Sequence, residues 1–188
     1  EWKKNLIIVR GGGDIATGTI YKLYQSRFSV LVLEIANPSC IRRTISFCEA
    51  VFDKKVEVEG VTAKRAESLE DAFAIYGQGQ IPVMIDENGS MIQEVQPPVV
   101  VDAILAKRNL GTKITDAPAV IGVGPGFCAG KDVDAVIETQ RGHNLGRVIY
   151  EGEAAPNTGI PGMIGGYAKE RVIHAPATGK LHILRSEE

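Results

Sequence analysis

Short runs of uninterrupted apolar residues mark the first hundred positions: Leu6 to Val9, Val30 to Leu33, Ile81 to Ile85 and Val99 to Val101. Runs of this length without polar alternation fit strands covered on both faces, as in a parallel sheet. Each stops at a charged residue: Arg10, Glu34, Asp86 and Asp102. Between the first two runs, Ile15, Ala16, Ile20, Leu23 and Tyr24 recur at the spacing of one helix face. A second helix is predicted from Ser68 to Tyr76. Ser68 caps it, and Leu69, Ala72, Phe73 and Tyr76 form its apolar stripe. Val56 to Glu59 alternates, and Gly60 turns the chain into Val61 to Ala63, which predicts a small hairpin. Asn88-Gly89 is a turn signal.

The texture changes near residues 111–118. Val120 to Val123, Ala135 to Ile137 and Arg147 to Tyr150 read as strands among dense glycine and proline, with no amphipathic helix of normal length. Two parts are therefore expected. Residues 1–115 form a nucleotide-binding α/β domain, and residues 116–188 form a strand-rich part that can share its sheet. Arg171 to Ile173 and Leu181 to Leu184 read as the opening of a further β element that the chain leaves unpaired, as if truncated.

Composition narrows the classes. Of 188 residues, 44% are hydrophobic, enough for a core without staples, and the net charge of −2 gives no basic excess for nucleic acid or an anionic membrane. No apolar stretch reaches the length of a membrane span, and no signal peptide precedes the first strand. Cys40, Cys48 and Cys128 form neither a disulfide framework nor a CxxC pair, which suits a reducing, cytoplasmic location. No His/Cys cluster has metal-ligand spacing, so no metal site is expected.

The run Gly11-Gly12-Gly13-Asp14-Ile15-Ala16 fits G-x-G-x-x-[GA] between a strand and a helix. In that pattern the first glycine makes a tight turn, the second lets backbone approach a pyrophosphate, and the third small residue lets helix and strand pack closely. The helix N-terminus adds free N–H groups and partial positive charge. Glu34 follows about 20 residues on, at the end of the second strand, where an acid accepts hydrogen bonds from a ribose. The prediction is a Rossmann-like βαβ unit in a mostly parallel sheet. NAD is favoured over NADP unless Arg42 and Arg43 fold back onto the site. Asp14 either repels phosphate or caps the helix and points away. If the strands are parallel, Glu34, Asp86 and Asp102 line one edge; otherwise they are solvated turn residues.

A second glycine loop holds Gly124 and Gly126, with Cys128, Arg141 and His143 shortly after. Such a loop presents N–H groups to an anion, Arg141 can grip a carboxylate or phosphate, and His143 can move a proton near neutral pH. The alternative is a tight turn followed by an exposed loop. Cys40, beside Arg42 and Arg43, and Cys128, within the loop, are the candidate thiolates, whereas Cys48 reads as core.

Six segments carry a family resemblance: Gly11 to Gly18 (GGGDIATG), Ile41 to Val51 (IRRTISFCEAV), Val120 to Gly130 (VIGVGPGFCAG), Asp132 to Val148 (DVDAVIETQRGHNLGRV), Asn157 to Gly162 (NTGIPG) and Glu170 to Gly179 (ERVIHAPATG). They resemble the YqeB-type proteins of the selenium-dependent molybdenum hydroxylase system, which are distantly similar to XdhC-type maturation factors. The resemblance implies a maturation role, in which the protein helps a molybdenum hydroxylase apoenzyme acquire or sulfurate its molybdopterin cofactor. It also implies a further β module after residue 179. It carries no catalytic residue over.

Three readings stay open. One is a maturation factor whose first glycine loop holds a molybdopterin nucleotide. The second is an NAD-dependent oxidoreductase with His143 as proton donor. The third is a non-catalytic nucleotide-binding or scaffold protein, alone or as a homo-oligomer. Fold by itself does not choose among them.

Overall fold

β1 (Leu6–Arg10) is buried at every position, because its two faces serve two cores. Leu6 and Ile8 join one apolar cluster, while Ile7 and Val9 join the other. The alternation of side chains across a strand requires this division, and it explains why the run contains no polar interruption.

The computed structural model describes residues 2–179. β1 leads through the glycine loop into α1 (Asp14–Gln25) and then β2 (Ser29–Glu34). After a loop with two single 3-10 turns come α2 (Ala50–Asp53), the antiparallel hairpin of β3 (Lys55–Val58) and β4 (Val61–Ala66), and α3 (Leu69–Gly77). β5 (Ile81–Ile85), α4 (Ser90–Val95) and β6 (Val99–Asp102) follow, then β7 (Ala119–Val123), β8 (Cys128–Ala129), β9 (Ala135–Ile137), β10 (Val148–Ile149) and β11 (Gly152–Glu153). Among the described residues, nine strands form one sheet in the order β10-β9-β7-β6-β1-β2-β5-β4-β3, and β11 pairs with β8 separately. The strands from β9 across to β4 are parallel, and only the two edge strands are antiparallel. The protein is thus α/β with a mostly parallel, strand-rich sheet. α1 and α2 pack on the Ile7/Val9 face, and α3 and α4 on the Leu6/Ile8 face.

The predicted runs become β1, β2, β5 and β6. Ser68 caps α3 by accepting the N–H of Asp71. One position differs from the sequence reading, and one turn agrees with it. Phe73 is 56% exposed instead of buried, lying edge-on to Trp2 with ring centroids 5.8 Å apart. The Asn88-Gly89 turn leads straight into α4, which Asp86 caps through the N–H groups of Ser90 and Met91. The change of texture near 111–118 falls between two paired neighbours of the main sheet, β6 and β7, and the compact unit continues to Pro156.

A second unit, Asn157–Glu188, begins with an irregular segment. It contains an isolated bridge between Ile164 and Tyr167 and one 3-10 turn, Lys169–Arg171. Arg171 donates to the carbonyl of Gly162 at 2.8 Å. The expected strand at Arg171 to Ile173 is absent, and Leu181 to Leu184 lies outside the described residues.

Chain order reverses beside β1. β2, β5 and β4 stack on one side, then the chain returns to place β6 on the other. At the carboxyl ends of β1 and β6 a buried ion pair joins the two strands: Arg10 is 5% exposed and Asp102 1%. The Arg10 guanidinium lies 3.4 Å from Asp102, and the Thr112 hydroxyl bonds both groups. Thr112 thereby ties down the long connection after β6. Removing the acid strands a buried cation, so Asp102→Ala is expected to lower unfolding free energy by about 3–5 kcal/mol. Loss of the exposed Arg65–Glu67 pair is expected to cost about 1 kcal/mol or less. Equal, small losses in chemical denaturation would show that Arg10 is not dependent on Asp102.

Candidate functional site

Open parallel sheets leave a crevice at the carboxyl edge where strand order reverses. Here that crevice is a cavity of about 370 Å³, lined by the glycine loop, the start of α1, the end of β2, the 38–41 and 103–107 segments, Cys48, Asp86 and Glu87. Its size is within the range of small-molecule sites.

The three loop glycines have different tasks. Gly11 has φ +91°, and a Cβ there would stand 2.9 Å from the Ile104 Cα and 3.0 Å from the Ala103 carbonyl. It is glycine because two backbones cross. Gly12 is woven into the interior. Its N–H donates to Glu34 Oε1 at 2.6 Å, and its carbonyl accepts from the Cys48 N–H at 2.8 Å and the Thr17 hydroxyl at 3.1 Å. Gly13, by contrast, has ordinary extended backbone (φ −65°), and the nearest atom to a Cβ there is 3.9 Å away. It is the N-cap of α1, and no side chain caps that end. Among the described residues no acceptor is paired with the N–H of Gly13 or Asp14. The bare backbone open to a ligand is therefore at 13–14, not across 11–13.

The acids at the strand ends do share an edge. Glu34 and Asp86 line the cavity, whereas Asp102 sits beneath it against Arg10. Glu34 accepts the N–H groups of Gly12 and Ile35 at 2.6 and 2.9 Å. Burial raises its pKa above the usual 4.5, against the lowering effect of those two bonds. Asp14 accepts the Ile15 N–H and pairs with Arg42, so its charge is neutralised at the helix start. Ala16 is fully buried under the strand, while Ile15 is 47% exposed at the cavity rim. Arg43 is taken up by Glu49 through two bonds of 2.9 and 2.6 Å. Arg42 and Arg43 are thus paired with Asp14 and Glu49.

The second glycine loop does not line this cavity. A Cβ on Gly124 would meet Leu105 and Thr139 at 2.9 Å, and one on Gly126 would meet the Arg108 backbone at 2.7 Å. These glycines let the loop press against Leu105 and Arg108; Leu105 and the neighbouring Lys107 line the cavity. Arg141 and His143 are exposed on a separate turn, away from the cavity. Cys128 lies on β8, where its N–H donates to Asp132. Of the candidate nucleophiles, only Cys40 reaches the cavity, and it does so with Cys48, which sequence reading assigned to the core. Cys48 is fully buried, yet its Sγ is 3.0 Å from that of Cys40. The fold brings these two sulfurs and Glu49 together, where spacing in the chain gave no metal-ligand signal.

The chain is 53% identical over 181 residues to a protein of Escherichia coli (strain K12) described as "Uncharacterized protein YqeB". The match covers 96% of this chain. The comparison supports the YqeB family. The chain spans about a third (33%) of the length of that curated relative. No family model and no solved structure matches it.

The buried Glu34 has a pH consequence. An acid whose pKa is raised on folding holds its proton to higher pH in the fold than in the unfolded chain. Its contribution is most favourable below the ordinary value of 4.5 and is lost as pH rises through the raised one. Glu34→Gln keeps an oxygen for the Gly12 N–H and removes this loss. The variant is expected to gain stability relative to the parent as pH rises from 4.5 toward neutrality, measured by chemical denaturation across that interval. A difference independent of pH would contradict the burial of a charged carboxylate.

Proposed function

We propose that the protein binds an anionic small molecule of the nucleotide class in the cavity at the β1/β6 reversal, with a phosphate at the N-terminus of α1. In this reading it serves the maturation of a molybdenum hydroxylase, and the ligand is a molybdopterin nucleotide. The observation that carries the binding proposal is the uncapped start of α1, whose Gly13 and Asp14 N–H groups border a small-molecule-sized cavity at the sheet's carboxyl edge. Such a terminus favours negative charge through both its free donors and its dipole. The maturation role rests on the family resemblance; the similarity to the YqeB relative supports the family and says nothing of its role.

The charges around the cavity shape the choice of ligand. Arg10 and Lys107 line it alongside Asp14, Glu34, Asp86 and Glu87. Three of those acids are engaged by neighbouring backbone N–H groups at the helix starts or strand ends, and Glu87 accepts the Ala36 N–H at 3.2 Å. The remaining acceptor capacity of Glu34 suits hydroxyl or ring N–H donors. A ligand with one or two phosphates and a donor-rich body fits better than an unaccompanied triphosphate. No histidine lines the cavity among the described residues, so an NAD-dependent hydride transfer would have to take its proton donor from elsewhere.

Calorimetry with molybdopterin cytosine dinucleotide, NAD, NADP and AMP tests this reading. The parent protein is expected to bind molybdopterin cytosine dinucleotide more tightly than NAD, NADP or AMP. Gly13→Val, with ordinary φ and open space for its side chain, is expected to keep its unfolding temperature within a few degrees and to weaken binding at least tenfold. A parent that binds none of the four, or a folded Gly13→Val that binds as the parent does, would overturn it.

A further inference from the structure

The loop between β2 and α2 carries a group that the nucleotide reading does not use. Cys40 Sγ and Cys48 Sγ are 3.0 Å apart, and Cys40 Sγ is 3.7 Å from Glu49 Oε1. One ligand atom from each of the three residues lies within 4.8 Å of the other two. Cys48 and Glu49 are almost fully buried, and Cys40 is half-buried on the cavity wall.

The group is held in place. The Cys48 N–H is bonded to the Gly12 carbonyl, and the preceding Phe47 N–H to the Thr17 hydroxyl. Glu49 is gripped by Arg43 on both oxygens. Cys48 therefore stands on backbone pinned to the glycine loop, and Glu49 beside it has an orienting partner of the kind that supports metal ligands.

The surroundings call for a cation. A divalent cation ligates cysteines as thiolates, and the buried Glu49 carboxylate beside them adds a third anionic donor. Two thiolates and one carboxylate carry three negative charges. A divalent cation with the Arg43 guanidinium neutralises them.

We propose that Cys40, Cys48 and Glu49 form a binding site for one zinc-class divalent cation, with a further coordination position open toward the cavity. Two sulfurs select a borderline or soft ion over magnesium or calcium. Tetrahedral bonds of about 2.3 Å from metal to sulfur set the sulfurs about 3.8 Å apart. The pair must therefore open by less than 1 Å from its metal-free 3.0 Å. Binding breaks two S–H bonds, forms two metal–sulfur bonds, releases two protons to solvent and changes no oxidation state. The site stands whether or not the cavity takes a nucleotide, since its ligands are the protein's own.

The test uses the full chain, reduced with a phosphine, and titrated with zinc against a chromophoric chelator and with cobalt followed by absorption. One equivalent of each is expected, with a sulfur-to-cobalt charge-transfer band. Cys40→Ser and Cys48→Ser are each expected to weaken binding at least tenfold and reduce the band. Because Cys48 is a core residue, the half-buried Cys40→Ser, checked by its unfolding temperature, is the decisive variant. The proposal is overturned if the reduced protein takes up no zinc, if cobalt binds without the thiolate band, or if folded Cys40→Ser binds as the parent does. It is equally overturned if the two cysteines are found joined as a disulfide and the reduced pair takes no metal.

Discussion

At the end of β1 the backbone of Gly11 lies against Ala103 and Ile104, so closely that a single added methyl group would meet main-chain atoms at about 3 Å. The chain leaving β1 and the chain leaving β6 cross there, at the one place where strand order reverses. Arg10 and Asp102, the residues just before the crossing, bind each other in the interior. The contact and the ion pair together set the floor of the cavity. The glycine loop, Glu34, the start of α1 and the 103–107 segment take their positions from that floor. A side chain at position 11 would separate the two strands' exits and with them every wall of the site.

The same crossing redistributes the roles of the glycines. A glycine-rich turn is commonly read as a continuous cradle for phosphate, but here two of the three are consumed by the protein itself. Gly11 makes room for backbone, and Gly12 binds Glu34, Thr17 and Cys48. What stays accessible is the helix start at Gly13 and Asp14. The stitching through Gly12 has a further effect, since it carries the Cys48–Glu49 segment to the cavity wall. Anion-favouring and cation-favouring groups thus meet around one hydrogen-bonding hub.

Much of this was legible in the sequence wherever one element's own pattern decides the outcome. The apolar runs became the central strands because residues buried on both faces admit no polar interruption. The periodicity from Ile15 to Tyr24 became α1, and Glu34 lies at the cavity because a strand end has few places to go. What depended on pairing across long separations was not visible. Nothing near Arg10 announces Asp102 or Thr112 as its partners, and nothing in the spacing of Cys40 and Cys48 shows their sulfurs in contact. Gly124 and Gly126 read equally as an anion loop or a tight turn, because glycine is the same residue whether it approaches a ligand or the backbone of Arg108. Phe73 is exposed although its helical position matches the apolar stripe, because its partner is the indole of Trp2 and not the sheet.

The account rests on the start of α1 being the place where an anion is received. Amide NMR of the assigned protein, titrated with a molybdopterin dinucleotide or NAD, reads this residue by residue. The account predicts that the amide signals of Gly13, Asp14 and Ile15 move together and saturate, while those of Gly124 and Gly126 stay in place. Signals of residues 13–15 that do not move, with saturating shifts at the second glycine loop or around Arg141 and His143 instead, would contradict it.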